Sequence, residues 1–300
     1  MNQKNKLHQV DKDIFSKIEN LSLRAKYVVD GYIIGLHKSP YHGFSAEFSD
    51  HRLYQKGDEI KHLDWKLWAK TDRYYIKQFE EETNLRCQIL LDQSASMEFK
   101  SNDINKLDYA INLSAALAYL ILKQQDAVGL SVFDSNIKTY ISPKSKQTHL
   151  NKLLLELSNV KGGTETEISK ILHKTAEGIK KRGLIILISD LFDDVEEIIS
   201  GLKHFRHKGH EIIVFHILDP KEINLDYDNK IKFVDLETAD SIETDPMYIK
   251  KEYNKKINAY INNLKLSCGK NKVDYVQIQT NQSLEVALSS YLRKRLAIHK

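Results

Sequence analysis

Two rhythms of apolar and polar residues alternate along this chain. From residue 86 onward, short apolar runs bounded by turn residues are separated by stretches with apolar positions three and four apart. The first rhythm suits buried strands, the second helices that pack one face. Strands are therefore predicted over 87–92, 127–133, 137–141, 184–189, 212–218 and 273–279. Helices are predicted near 104–124, 146–158, 167–182, 194–207, 247–267 and 283–295. In the first of these, Leu107, Ala110, Ile111, Ser114 and Leu117 share a face. The wholly apolar 184–189 run suits the centre of a parallel sheet, where strands are covered on both sides. Asp134-Ser135-Asn136 reads as a tight turn between 127–133 and 137–141 and makes one strand antiparallel. The expected fold class is α/β: a doubly wound, mostly parallel six-stranded sheet of Rossmann-like winding with one antiparallel strand.

The first 85 residues read differently. Ile14, Ile18 and Leu21, then Ala25, Val28, Val29, Tyr32 and Ile33, predict two helical segments over 11–36. Residues 37–85 are glycine-punctuated and rich in aromatics and histidine, with short extended stretches such as 74–82. The expected domains are a small α+β N-terminal region over 1–85 and an α/β domain over 86–300. Composition adds bounds. A chain of 300 residues with 41% hydrophobic and 29% charged residues is that of an ordinary globular protein. No apolar run approaches the length of a bilayer span, and the N-terminus lacks the apolar stretch of a secretory signal. Cys87 and Cys268 read as free buried thiols, which fits a cytoplasmic location. The net charge of +4 is mild, and lysines are scattered over helix faces, as in 250–256. No basic block is interleaved with stacking aromatics, so nucleic-acid binding is not expected.

Candidate chemistry lies at strand ends. In an open α/β sheet, ligands bind beyond the carboxyl ends of the strands, where the winding reverses. Asp92, Ser94 and Ser96 follow the first regular strand, Asp190 follows the most apolar one, and Thr164 lies between them in the loop 162–166, ahead of a helix. These five residues offer oxygen ligands but only two negative charges. That suits a hard divalent cation, Mg²⁺ or alternatively Mn²⁺ or Ca²⁺, with a vertex left open for an Asp or Glu of another protein. Each also has a plainer role. Asp92 and Ser94 suit a turn, Thr164 with Glu167 suits a capping box, and Asp190 suits a loop ahead of an acidic helix start.

These motifs resemble a von Willebrand factor A-type domain over 86 to about 280. The metal-ion-dependent adhesion site of that domain uses D-x-S-x-S, a Thr and an Asp, matched here by Asp92/Ser94/Ser96, Thr164 and Asp190. Upstream, residues 43–84 are similar to the signature of the bacterial DUF58 family through Phe48, Arg52, Tyr54, Gly57-Asp58, Asp64-Trp65 and Ala69. The resemblance implies a non-enzymatic adaptor or co-chaperone of a MoxR-type AAA+ ATPase. Many members carry N-terminal membrane helices, which this sequence lacks. Arg52, Asp58, Asp64, Trp65 and Arg73 would form a polar partner surface, or alternatively Trp65, Trp68 and Tyr75 pack inward while Arg52 pairs with Asp58 or Asp64.

A second function class is a Mg²⁺-dependent hydrolase or phosphotransfer enzyme with Asp92 as nucleophile. Against it, Ser94 stands where a second carboxylate is needed, and no lysine is evident for a phosphoryl group. Gly162-Gly163-Thr164 lacks the other glycines and the lysine of a phosphate-binding loop. His42, His51 and His62 match no common zinc spacing.

Overall fold

A computed structural model describes residues 20–33, 51–53, 68, 71, 74–77, 85–101, 104–163, 167–227, 231–234 and 241–298. The chain divides into two compact units, Ile33–Asn84 and the rest, Met1–Tyr32 with Leu85–Lys300. This differs from a boundary at residue 85. Helix α1 (20–33) belongs to the larger unit because Leu21, Ala25 and Val29 are buried there. Asp30 receives the Lys123 ammonium at 2.8 Å, and the Tyr32 and Ser289 hydroxyls lie 2.9 Å apart.

In the smaller unit, β1 (His51–Leu53) pairs antiparallel with β2 (Tyr75–Lys77). Arg52 stands opposite Ile76. Trp68 stacks on Tyr74 with ring centroids 6.0 Å apart. Asp58, Asp64, Trp65 and Arg73, like His42 and His62, lie outside the described residues.

The larger unit follows the pattern read from the sequence. In chain order it contains β3 (Arg86–Asp92), α2 (Lys106–Lys123), β4 (Ala127–Phe133), β5 (Ile137–Lys144), α3 (Thr148–Asn159) and α4 (Ile168–Gly178). Then come β6 (Leu184–Ser189), α5 (Val195–His207), β7 (Glu211–Leu218), α6 (Pro220–Asn224), β8 (Ile231–Val234), β9 (Ser241–Thr244), α7 (Pro246–Lys270), β10 (Asp274–Gln279) and α8 (Glu285–Ile298). Six strands form one sheet in the order β10-β7-β6-β3-β4-β5, all parallel except β5. The chain winds outward from β3 through β4 and β5, then crosses to β6 on the other side. The reversal therefore falls between β3 and β6, and a crevice opens there at the carboxyl ends. The β8–β9 hairpin and the short α6 were not expected from the pattern.

The sheet is buried on both sides, as continuous apolar runs require. Helices α4, α5 and α7 pack one face around Leu172, Leu187, Leu202, Phe205, Val214 and Leu264; α2, α3 and α8 cover the other. Cys87 and Cys268 are free and buried, and burial pushes the Cys268 thiol up to about 12. Among the described residues no helix is long and apolar enough to cross a membrane.

Local capping fixes several helix starts. Asp194 accepts from the backbone N–H of Glu196 at 2.8 Å and of Glu197 at 3.2 Å, opening α5 just after the Asp190 loop. Asp194→Ala is expected to cost about 1 kcal/mol, measured by urea unfolding. An unchanged midpoint would show that tertiary packing alone sets this start.

Candidate functional site

Strands β3 and β6 are neighbours, with Leu91 opposite Ile188, so Asp92 and Ser189 end the two strands side by side. The Ser189 hydroxyl donates to Asp92 Oδ2 at 2.7 Å, and the Ser94 backbone N–H donates to Asp92 Oδ1 at 2.8 Å. Asp92, Ser94 and Asp190 are each 1% exposed. Ser96, in the 3-10 turn Ala95–Glu98, is half-buried. Its Oγ lies 3.1 Å from that of Ser94. The structure thus brings together four of the five expected residues. Thr164 lies outside the described residues, but its neighbour Gly163 donates from its backbone to the Gln93 carbonyl at 2.6 Å. A Cβ on Gly163 would lie 2.5 Å from Asp134 Oδ2, so the approach of this loop to the site requires glycine.

The turn after β6 is strained. Leu191 has φ of 52°, a left-handed conformation that is uncommon for a leucine. Its backbone N–H donates to Ser189 Oγ at 2.9 Å, and its carbonyl accepts from the Tyr260 hydroxyl. The turn buries Leu191 and leaves Phe192 exposed at the rim. Behind it, His216 Nε2 donates to the Asp190 carbonyl at 2.7 Å, which leaves Nδ1 to accept from the Tyr275 hydroxyl at 2.5 Å. This imidazole is neutral: burial depresses it to about 4, against the pull of Asp190.

Sequence reasoning missed three charged members of the site. Lys106, the first residue of α2, is fully buried, and its ammonium donates to Asp190 Oδ2 at 2.7 Å and to Glu222 Oε1 at 2.6 Å. The Phe192 and Phe99 ring centroids lie 4.9 and 5.9 Å from it. Burial works against the ammonium, but Asp190 and Glu222 outweigh it and hold Lys106 above its ordinary value. Glu222 is itself pushed up by burial, only partly offset by an ammonium it shares with Asp190. The third residue, Asp219, ends β7 and accepts from the Ser101 backbone N–H at 2.9 Å and hydroxyl at 2.5 Å. It also opens α6 in a capping box with Glu222. The only sequence signal was the pair Asp219-Pro220 with Glu222 following, a helix start. Nothing local marked Lys106, since a cation opposes the dipole at a helix N-terminus.

Among the described residues Asp92 pairs with no cation. Burial, then the charge of Asp190, push its carboxyl up to about 7, against hydrogen bonds from Ser189 and Ser94. Among the described residues no three His, Cys, Asp or Glu side chains converge to hold a metal. A hydroxyl-rich set fits one differently. Adjacent ligands of an octahedral ion at about 2.1 Å lie about 3 Å apart, and the Ser94 and Ser96 hydroxyls are 3.1 Å apart beside this carboxylate. The residues present fit a small divalent cation.

The family model described as "Protein of unknown function DUF58" matches residues 50–260, more than half of the chain. The chain belongs to the DUF58 family. A curated relative of this DUF58 protein is the uncharacterized protein Rv1480 of Mycobacterium tuberculosis, 23% identical over 220 residues, 72% of this chain and 68% of that protein. Solved structures similar to it include the conserved hypothetical protein BatB from Bacteroides thetaiotaomicron, with TM-score 0.47 and 18% identity over 70% of this chain and 98% of that one. The SpRpn10 VWA domain is another, with TM-score 0.38 and 12% identity over 68% of this chain and 93% of that one.

Proposed function

We propose that this DUF58 protein is a metal-dependent protein-interaction module. In this reading Asp92, Ser94, Ser96, Thr164 and Asp190 hold a Mg²⁺ ion, or Mn²⁺ or Ca²⁺ in its place. The ion supplies Lewis-acid charge that attracts an Asp or Glu side chain of a partner. The reading is supported by one observation above others: a buried, uncompensated carboxylate beside two hydroxyls, at the point where the sheet reverses its winding. The chain's residues orient the donors. Ser189 and the Ser94 backbone fix the Asp92 carboxylate, and Ser96 is half-buried. By resemblance, the partner is a MoxR-type AAA+ ATPase; the two free, buried cysteines suit a cytoplasmic setting.

The test is capture of a purified MoxR-type ATPase on the immobilised chain, with 5 mM Mg²⁺ or with chelator, for wild type and Asp190→Ala. Capture is expected only for wild type with the ion, at least tenfold above the other conditions. Equal capture with chelator, or by Asp190→Ala, sinks the metal dependence, and no capture under any condition sinks the choice of partner. The hydrolase reading gains no support from Lys106, whose buried ammonium is already committed to Asp190 and Glu222. Turnover of a phosphate ester, lost in Asp92→Asn, would restore that reading.

A further inference from the structure

A lysine with no solvent exposure, at the first residue of a helix, is placed against two preferences at once. Lysine is almost never fully buried unless paired, and the N-terminal end of a helix repels cations. Lys106 is held there by tertiary contacts alone: Asp190 at the end of β6, Glu222 in α6, and the Phe99 and Phe192 rings. Tyr253 steadies the Glu222 segment by donating to its carbonyl at 2.6 Å. Lys106 joins Asp190 to Glu222 directly, and Asp92 ends the neighbouring strand, bonded to Ser189 just before Asp190. With Asp219 beside Glu222, carboxylates outnumber the one ammonium, and Lys106 offsets a single unit of that negative charge.

We propose that Lys106 is a fixed internal cation that lowers the negative charge of the site by one, weakening ion binding so that the ion-loaded site admits a partner's carboxylate. The inference rests on the metal-dependent reading above and adds a residue that fixes the strength and selectivity of that site. Without Lys106 the loaded site is more negative by one charge, which tightens the hold on the ion and repels an incoming Asp or Glu. Asp190, engaged by Lys106, is also less free to contact the ion, so Asp92 with the serine hydroxyls carries the larger share of ion affinity.

Isothermal titration with Mn²⁺ on the full chain tests this without reference to any partner. Lys106→Gln keeps N–H donors for Asp190 and Glu222 while removing the charge; it is expected to bind Mn²⁺ at least tenfold tighter than wild type. Glu222→Gln leaves Lys106 paired with Asp190 and removes one negative charge; it is expected to bind at least threefold weaker. Asp92→Asn is the control that loses binding. If Lys106→Gln binds no tighter, or Glu222→Gln binds as wild type does, the role of Lys106 is overturned while the metal site stands. Should wild type and Glu222→Gln ignore Mn²⁺ while Lys106→Gln binds it, the role of Lys106 is upheld and the metal-dependent reading falls. Both fall if no form binds Mn²⁺. If Lys106→Gln does not fold, the Glu222→Gln titration decides by itself.

Discussion

Asp92→Asn is expected to abolish ion-dependent capture and, in chelator at pH 8, to leave the fold more stable than wild type. The two effects share one cause. Burial raises the Asp92 carboxyl from an ordinary 3.8 to about 7, so it holds its proton more tightly folded than unfolded. For an acid shifted in this direction, stability is full below about pH 4, falls as pH rises toward 7, and is level above that. The span is roughly 4 kcal/mol at about 1.4 kcal/mol per pH unit. An uncharged amide avoids this cost, but weakens the hydrogen bonds from the Ser94 N–H and Ser189 hydroxyl by about 1–2 kcal/mol. The net gain at pH 8 is about 2 kcal/mol, a rise in Tm of about 5 °C for a domain of this size. The gain disappears by pH 4.5. Thermal melts of both forms with chelator at the two pH values check this. A lower Tm for Asp92→Asn at pH 8 would mean that the carboxylate already has a counter-charge. The expected gain makes the site a region where function and stability pull in opposite directions, as is common where a ligand supplies a missing charge.

Arg295→Met should lower stability by about 3–5 kcal/mol, the largest loss expected from any single change considered. Arg295, on α8, donates from Nε to Asp126 Oδ2 at 2.5 Å, and Asp126 is fully buried ahead of β4. The other oxygen of Asp126 accepts from the Leu85 N–H at 3.2 Å, at the entrance to β3. The pair therefore joins the last helix to the start of the strand that carries Asp92. Removing the guanidinium takes this ion pair from a buried carboxylate, while the methionine stem preserves most of the packing. Arg295→Met with Asp126→Asn is expected to recover part of the loss, because the buried negative charge is then gone. Urea unfolding of the single and double variants measures the coupling directly. A loss below about 1 kcal/mol for Arg295→Met would show that the pair is solvated and that packing by Tyr291 and Leu292 alone seats α8.

Much of the fold was legible because the larger unit obeys simple periodicities. Runs such as 184–189 are apolar throughout because both sheet faces are covered, and the six strands and their helices fall within a few residues of the expected limits. The β8–β9 hairpin escaped because 231–234 and 241–244 are short and mixed in polarity, without the two-residue glycine turn that betrays tighter hairpins. The burial of Leu21, Ala25 and Val29 in the larger unit was not legible, because an amphipathic pattern reveals that a helix buries a face but not which partner covers it. In the site, Asp92, Ser94, Ser96 and Asp190 were visible because strand-end position and residue type coincide. Ser189 was passed over as the last residue of an apolar strand.

The sequence by itself determined the winding of the sheet, and with it the edge at which Asp92 and Asp190 emerge, because local periodicity dictates both strand limits and the crossing helices. Only the tertiary structure decided the electrostatics of that edge. Lys106 lies 84 residues from Asp190 and 116 from Glu222 along the chain, and nothing in its neighbourhood foretells a buried cation. Charge compensation acts through space at a few ångströms, and only folding brings such distant groups within that range.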